Sequence, residues 1–277
     1  MTEKLLESVI SSDGESLPVR RYVPNSPYAH QIILLHGVVS HSGWLETLGQ
    51  GLAEQGVAVL AVDRRGAGLS TSASGDAPST AQLLDDVDAV RHHYASDILT
   101  THLGGFCWGA TYALNALSRD AAGVASFLMI APSIFPADDI GGADLVVGYS
   151  GEADCEPHVP IDRFTRGPAY EDFIIPDPLR TREVSPRFNQ CLVDMNRMLG
   201  PRWAKLRLPT LMVLAEQDRL SDNEKHLRAW RHVKGTPKSH IIVPGEHGVQ
   251  FDALPETIAA VTAWTDIVAQ AMGTTAA

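Results

Sequence analysis

Cysteine is scarce in this chain, and its scarcity excludes two classes of small protein. Three cysteines among 277 residues, Cys107, Cys155 and Cys191, are too few and too scattered for a disulfide framework or a zinc site. A reducing cytoplasm is the expected location, since it would also keep a cysteine side chain as a free thiol. The sequence implies no metal ion and no organic cofactor.

Long hydrophobic runs and clusters of positive charge are also missing. No apolar run approaches the ~20 residues that a membrane-spanning helix requires. The N-terminus lacks the basic segment and apolar core of a signal peptide. With a net charge of −11 and no dense lysine and arginine face, nucleic acid is not an expected partner. Hydrophobic residues at 44% and charged residues at 20% are instead typical of a globular enzyme with a sizeable core.

Strand-like and helix-like segments alternate along most of the chain, which predicts an α/β protein with a mostly parallel sheet and helices on both faces. The pattern breaks between about residues 137 and 207, where many of the prolines lie. We therefore expect a core formed by residues 1–136 and 208–277, with residues 137–207 inserted into it. The predicted strands are 4–11, 16–24, 30–35, 57–62, 98–103, 124–130, 209–214 and 239–243.

One short stretch, residues 103–110, joins a strand to a helix through a sharp turn. Its centre reads Gly105-Phe106-Cys107-Trp108-Gly109, the glycine-x-nucleophile-x-glycine pattern of a nucleophile elbow. Glycine is needed on both sides because the central residue takes a strained backbone conformation. Cys107 would then stand at a helix N-terminus, where the dipole and the free N–H groups favour negative charge. A lone cysteine is more often an inert buried residue, so a base and an acid are also required.

Two later residues supply this base and this acid. Asp218 follows a later strand and His247 follows the last one, so the chain order is nucleophile, acid, histidine. In an open parallel sheet all three would meet at the carboxyl ends of the strands. We expect His247 to take the Cys107 proton and later return it, and Asp218 to orient His247. Glu216 and Asp222 compete for the acid role, although either could be a helix cap or a solvated charge.

The loop after the first central strand, His36-Gly37-Val38, is expected to complete the site. An oxyanion hole needs two N–H donors, and the backbone of Val38 and that of Trp108 are the candidates. His36, Gly37 and Trp108 are candidates for the lining of the substrate pocket, with Trp108 as a wall beside the acyl group.

Together these motifs resemble the α/β-hydrolase superfamily, and in particular its serine-aminopeptidase and monoacylglycerol-lipase-like branch. In that branch the insertion between strands six and seven is a cap that sets substrate preference, so residues 137–207 are expected to form a cap. The resemblance is found in residues 35–37, 41–44 and 63–70, in the elbow, and in Asp218 and His247.

Three residues depart from the pattern of the branch. Cys107 replaces the usual serine, Ala67 stands where histidine is usual, and Trp108 stands where a smaller residue is common. A cysteine elbow is similar to that of dienelactone hydrolases, but this likeness is local to residues 105–109.

The resemblance and the cysteine predict an enzyme that cleaves an ester, thioester or lactone through an acyl-thioester intermediate. The expected partner is a small acyl substrate, with a carrier-bound or CoA thioester among its candidate forms. Because a thioester passes its acyl group to many nucleophiles, an acyltransferase, a lyase or a cyclase using the same triad is an open alternative. A non-catalytic binding descendant is a further, less favoured one.

Overall fold

An eight-stranded sheet runs through the centre of the protein. The computed structural model describes residues 2–137 and 160–273. The strands are Glu3–Ile10 (β1), Ser16–Val23 (β2), His30–Leu35 (β3), Val57–Val62 (β4), Thr100–Phe106 (β5), Ser126–Ile130 (β6), Thr210–Ala215 (β7) and Lys238–Val243 (β8). Their order in the sheet is β1-β2-β4-β3-β5-β6-β7-β8. The pairs from β4 to β8 are parallel, and β1 and β2 are antiparallel additions at one edge. The predicted, mostly parallel sheet is confirmed.

Helices cover both faces of this sheet. Helices α1 and α8 pack together on one face, and α2 and α3 pack together on the other. Among the described residues, no helix has both the length and the apolar character needed to cross a bilayer. The α-helices are Glu46–Glu54 (α1), Thr80–His93 (α2), Trp108–Arg119 (α3), Pro186–Arg197 (α4), Leu199–Lys205 (α5), Asn223–Trp230 (α6), Val249–Asp252 (α7) and Leu254–Met272 (α8).

The central strands are the continuous apolar runs of the sequence, because both of their faces are covered. Every residue of β3, β4 and β7 is buried. The predicted start of β5 was wrong by two residues. Ile98 is 89% exposed, and the strand begins at Thr100, whose N–H donates to Ala29 at 2.7 Å. Ile98 is apolar but lies in a surface turn, so the sequence alone suggests that the strand begins earlier than it does.

The described residues between β6 and β7, 160–207, are here called the β6–β7 segment. They contain a 3-10 turn at Ile161–Arg163, a π-helical turn at Ala169–Ile174, and helices α4 and α5. Asp177 fastens the segment to the loop after β3. Its Oδ2 accepts hydrogen bonds from Trp44 Nε1 at 2.6 Å and from His41 Nε2 at 3.0 Å. The predicted insertion also includes residues 138–159, which lie outside the described residues, and its role as a cap stays a prediction.

A chain of buried polar side chains crosses the sheet away from the elbow. Trp264 Nε1 donates to Ser126 Oγ at 3.0 Å, so the Ser126 hydroxyl can donate to His102 Nδ1 at 2.7 Å. His102 Nε2 then carries the hydrogen and donates to His30 Nδ1 at 3.2 Å. Burial, with a smaller contribution from the neighbouring His30, lowers the pKa of His102 from 6.5 to about 3.

This neutral histidine makes the protein sensitive to acid. The unfolded chain protonates His102 below about pH 6.5 whereas the folded protein does not, so the free energy of unfolding falls as the pH falls. Between about pH 6 and 4, we expect the wild type to lose about 1.4 kcal/mol per pH unit more than His102→Gln. Urea unfolding at several pH values measures this slope. His92→Gln, which changes an exposed histidine, should keep the wild-type slope, and equal slopes for all three proteins would contradict the prediction.

Candidate active site

Cys107 stands at the sharp turn between β5 and α3. Its backbone has φ 57° and ψ −129°, a left-handed conformation that is strained for a residue with a side chain. Main-chain hydrogen bonds hold it there. The Cys107 N–H donates to Ile130 O at 3.0 Å, and the Ser133 N–H donates to Cys107 O at 3.1 Å. The neighbouring strand β6 therefore fixes the position of the thiol.

The two glycines of the elbow are required by close backbone contacts. A Cβ atom on Gly105 would lie 2.0 Å from the carbonyl carbon of Gly109, and one on Gly109 would lie 2.2 Å from Leu35 O. Both distances are far inside van der Waals contact, so no larger residue fits either position. The glycine spacing in the sequence thus has a steric cause.

His247 and Asp218 meet at the same end of the sheet. His247 Nδ1 donates to Asp218 Oδ2 at 2.8 Å, and both side chains are buried. The other ring nitrogen, Nε2, is buried and has no hydrogen-bond partner by ordinary distance and angle. The fixed Nδ1–H leaves the Nε2 lone pair free to take a proton.

The three candidate acids are separated by their contacts. Asp218 Oδ1 accepts the N–H groups of Leu220 at 2.8 Å and Ser221 at 2.9 Å, which leaves Oδ2 aimed at the histidine. Asp222 is instead the N-cap of α6, where it accepts the Lys225 N–H at 2.8 Å. Glu216 is exposed. Of the three, Asp218 is the residue that the fold brings to His247.

Opposing effects set the pKa of His247. Burial alone lowers this pKa, because apolar surroundings disfavour an imidazolium ion. Electrostatic interactions with Asp218 and Cys107 outweigh burial, and together with the hydrogen bond to Asp218 they raise the pKa of His247 to about 10. A histidine with a raised pKa is a competent acceptor for a thiol proton. The pKa of His247 therefore depends on both Asp218 and Cys107.

Aromatic side chains enclose the histidine and keep water away from it. The rings of Phe164 and Phe106 lie 5.1 and 5.5 Å from the His247 ring, and Trp44 packs edge-on against Phe164 at 5.6 Å. The Phe164 carbonyl also accepts the Gly248 N–H at 2.5 Å. Cys107 itself is 5% exposed. Phe164 belongs to the β6–β7 segment, and nothing in the sequence around it predicted this contact.

The loop after β3 passes directly against the nucleophile. A Cβ atom on Gly37 would lie 3.1 Å from Cys107 Sγ, so a larger residue here would press against the thiol. The Gly37 N–H donates to Ser40 Oγ at 3.0 Å, and the Val38 carbonyl accepts from the Arg64 guanidinium at 3.2 Å. The loop is thereby held on both sides. The assignment of the Val38 and Trp108 N–H groups as oxyanion donors stays a prediction.

His36 lies in the interior rather than in an open pocket. Its Nε2 accepts the Arg64 N–H at 3.0 Å, so its Nδ1 carries the hydrogen and donates to Gly37 O at 2.7 Å. Burial, together with the nearby Arg64, lowers the pKa of His36 to about 3. Both nitrogens are therefore occupied by backbone. The predicted pocket role of His36 stays a prediction, and ring carbon atoms alone would be free for substrate.

Trp108 is buried within an aromatic cluster beside the elbow. Its ring stacks on Tyr112 at 5.4 Å and meets the edge of Phe188 at 6.1 Å. Its Nε1 has no hydrogen-bond partner. Phe188, on α4, also lies under the guanidinium of Arg64 at 4.1 Å. Arg64 lies in the matching block 63–70 without a predicted role, and no sequence motif points to Phe188. Within the described residues, no group of three or more His, Cys, Asp or Glu side chains could hold a metal ion.

Comparison with known proteins identifies the family to which this fold belongs. The sequence matches the serine aminopeptidase S33 hydrolase family over residues 26–253, which is most of the chain. The chain therefore belongs to this family, whose fold is that of the α/β-hydrolases.

Solved structures share the fold at low sequence identity. A soluble variant of monoglyceride lipase from Saccharomyces cerevisiae is 16% identical with a TM-score of 0.82, over 97% of this chain and 95% of that one. Paleococcus ferrophilus monoacylglycerol lipase is 17% identical with a TM-score of 0.74, over 91% of this chain and 99% of that one.

A relative was also found by sequence. An uncharacterized abhydrolase domain-containing protein of Dictyostelium discoideum is 30% identical over 146 residues. That alignment covers 52% of this chain but 15% of the relative's length.

The elbow contacts predict that Gly105→Ala destroys the fold around the site. We expect it to lower the free energy of unfolding by about 3 kcal/mol or more, because the added methyl group collides with main chain. Gly200→Ala is the matched control, since its Cβ would meet open space within α5. That control should be neutral or more stable by up to about 1 kcal/mol. Thermal or urea unfolding measures both, and a Gly105→Ala protein of wild-type stability would refute the steric argument.

Proposed function

We propose that the protein is an α/β-hydrolase that uses a Cys107–His247–Asp218 triad to cleave an ester, thioester or lactone. The observation that carries the proposal is the 2.8 Å bond from His247 Nδ1 to Asp218 Oδ2, with Nε2 unpaired in a site enclosed with the elbow cysteine. Family membership supports hydrolysis, and the cysteine supports a thioester intermediate.

The reaction follows from these positions. His247 Nε2 takes the Cys107 proton, and the sulfur attacks the substrate carbonyl carbon to form a C–S bond. The backbone N–H groups of Val38 and Trp108 stabilise the oxyanion. As the tetrahedral intermediate collapses, the bond to the leaving group breaks, and His247 protonates that group. Water, deprotonated by His247, then attacks the thioester and releases the acid and the thiol.

The surroundings of the triad support a small substrate with an apolar part. Phe164 and Phe188 come from the β6–β7 segment and pack beside His247 and Trp108 respectively. This supports the proposal that the segment is a cap that shapes the substrate pocket. Cys107 and Cys191 are both free thiols, and thiolate chemistry suits a reducing compartment such as the cytoplasm.

The covalent step is tested by intact mass after exposure to acyl thioesters and p-nitrophenyl esters. We expect an acyl adduct on Cys107 that is absent in Cys107→Ala and forms at least about 100-fold more slowly in His247→Ala, because the general base is lost. Cys191→Ala is the matched control and should keep the adduct. Rapid loss of the adduct in water indicates a hydrolase, whereas loss only with an added amine or thiol indicates an acyltransferase.

Two results would overturn this proposal. The first is an adduct that maps to a cysteine other than Cys107. The second is the absence of both adduct and turnover with every donor, which would point to elimination, cyclisation or a binding role.

The acid is tested separately by two isosteric variants. Asp218→Asn should lower kcat/KM by about 100- to 10,000-fold, because the amide cannot hold the required His247 tautomer or stabilise its imidazolium form. Asp222→Asn, which changes the N-cap of α6, should keep kcat/KM near the wild-type value. Steady-state ester hydrolysis measures both. Equal losses in the two variants would remove Asp218 from the triad.

A further inference from the structure

Arg64 is a buried cation that no carboxylate neutralises within the described residues. It is 3% exposed and follows β4 directly. Its guanidinium donates to Arg65 O at 2.8 Å and to Val38 O at 3.2 Å, while its Nε is buried and has no partner. Three of the five N–H groups of this guanidinium are therefore not used by the two carbonyls.

The carboxylates near Arg64 are already paired with other arginines. Asp63 binds Arg20 at 3.2 Å, and Asp86 binds Arg65 at 2.8 Å. Burial lowers the pKa of Arg64 to about 10, although Asp63 and Asp86 act in the opposite direction and raise it. Burying an ion without a partner is costly, and proteins retain such groups chiefly where a ligand supplies the missing charge.

The guanidinium lies in the same cluster as the residue after the nucleophile. Its carbon lies 4.1 Å from the centre of the Phe188 ring, and the Trp108 ring lies 6.1 Å from the same ring. Trp108 Nε1 is a second buried donor without a partner. Two donors that lack acceptors thus flank one aromatic ring beside the elbow, which is the composition of a site for an anionic group.

The order of strands places this cluster on the acyl side of the nucleophile. Arg64 follows β4 and His247 follows β8, whereas Cys107 follows β5, which lies between them in the sheet. The leaving group departs beside His247, because this residue protonates it. The acyl group therefore extends away from His247, in the direction of Arg64.

We infer that Arg64 binds a carboxylate at the distal end of the acyl group, so that the substrate is a half-ester or half-thioester of a dicarboxylic acid. A guanidinium fork matches a carboxylate in a bidentate arrangement, and the indole N–H of Trp108 adds a further donor. The ring of Phe188 contacts the guanidinium without supplying a hydrogen-bond acceptor of the strength of a carboxylate. This inference rests on the proposed function and specifies its substrate class.

The test compares two esters of equal chain length that differ in one charge. Mono-p-nitrophenyl glutarate carries the carboxylate, and p-nitrophenyl pentanoate lacks it. The corresponding succinate and adipate half-esters, each with its neutral counterpart, vary the distance between the ester group and the carboxylate. The readout is the ratio of kcat/KM for the charged ester to kcat/KM for the neutral ester. We expect Arg64→Met to lower the best of these ratios by at least about 10-fold, since a charge-assisted hydrogen bond is lost. Arg64→Lys keeps the positive charge but not the forked guanidinium, so its ratio should lie between those of the wild type and Arg64→Met.

Arg187→Met is the matched control. Arg187 is an exposed arginine on α4, the helix that carries Phe188, and it pairs with Asp76. It should keep the wild-type ratio. An unchanged ratio in Arg64→Met, or an equal fall for both esters, would overturn the inference, because Arg64 would then only hold the Val38 carbonyl.

A binding measurement separates this inference from the proposed function. In the Cys107→Ala protein, monomethyl glutarate should raise Tm, while methyl pentanoate should raise it less. Adding Arg64→Met should abolish the difference. If no ester is turned over but this difference is seen, the hydrolase proposal fails and the carboxylate site stands. If pentanoate is turned over and Arg64 has no effect in either assay, the carboxylate site fails and the hydrolase proposal stands.

Discussion

The close contact of main chain with main chain at the elbow determines the rest of the site. Gly105 touches the carbonyl of Gly109, and Gly109 touches that of Leu35, so α3 begins directly on the ends of β5 and β3. The same approach puts Gly37 against Cys107 Sγ. Nucleophile, helix N-terminus and the loop after β3 are therefore placed together by sterics, before any polar group is considered. A side chain at either elbow glycine would separate all three.

Around this contact, the buried charges divide into two groups. Asp63 with Arg20 and Asp86 with Arg65 are pairs whose charges cancel, and they hold the loop after β4 to β2 and to α2 respectively. Each member leaves a buried unpaired charge if the other is removed, which makes these pairs structural. Arg64 differs because, among the described residues, no carboxylate forms an ion pair with it. The neutralised pairs make the structure rigid, whereas the unpaired charge of Arg64 is the basis of the proposed substrate recognition.

Much of the fold was predictable because its signals are local. The bounds of β3 and β4 coincide with their apolar runs, and the elbow, its glycines and the order of Asp218 and His247 are visible in the sequence. The contacts of Phe164 with His247 and of Phe188 with Arg64 were not predictable, since they join residues far apart in the chain. For the same reason the sequence Asp63-Arg64-Arg65 does not show which arginine lacks a partner.

The way in which the β6–β7 segment is fastened has a consequence for dynamics. The backbone of Cys107 is bonded to β6, so the reacting centre belongs to the cooperative unit that unfolds with the sheet. Hydrogen bonds worth about 1 kcal/mol each, to Asp177 and from Thr181 to Val39, instead join the segment to the loop after β3. The buried rings of Phe164 and Phe188 add side-chain packing. Opening the segment would break these contacts but would leave the main-chain bonds that hold the backbone of Cys107 to β6. Access to the thiol and the backbone geometry of the thiol thus depend on different sets of contacts.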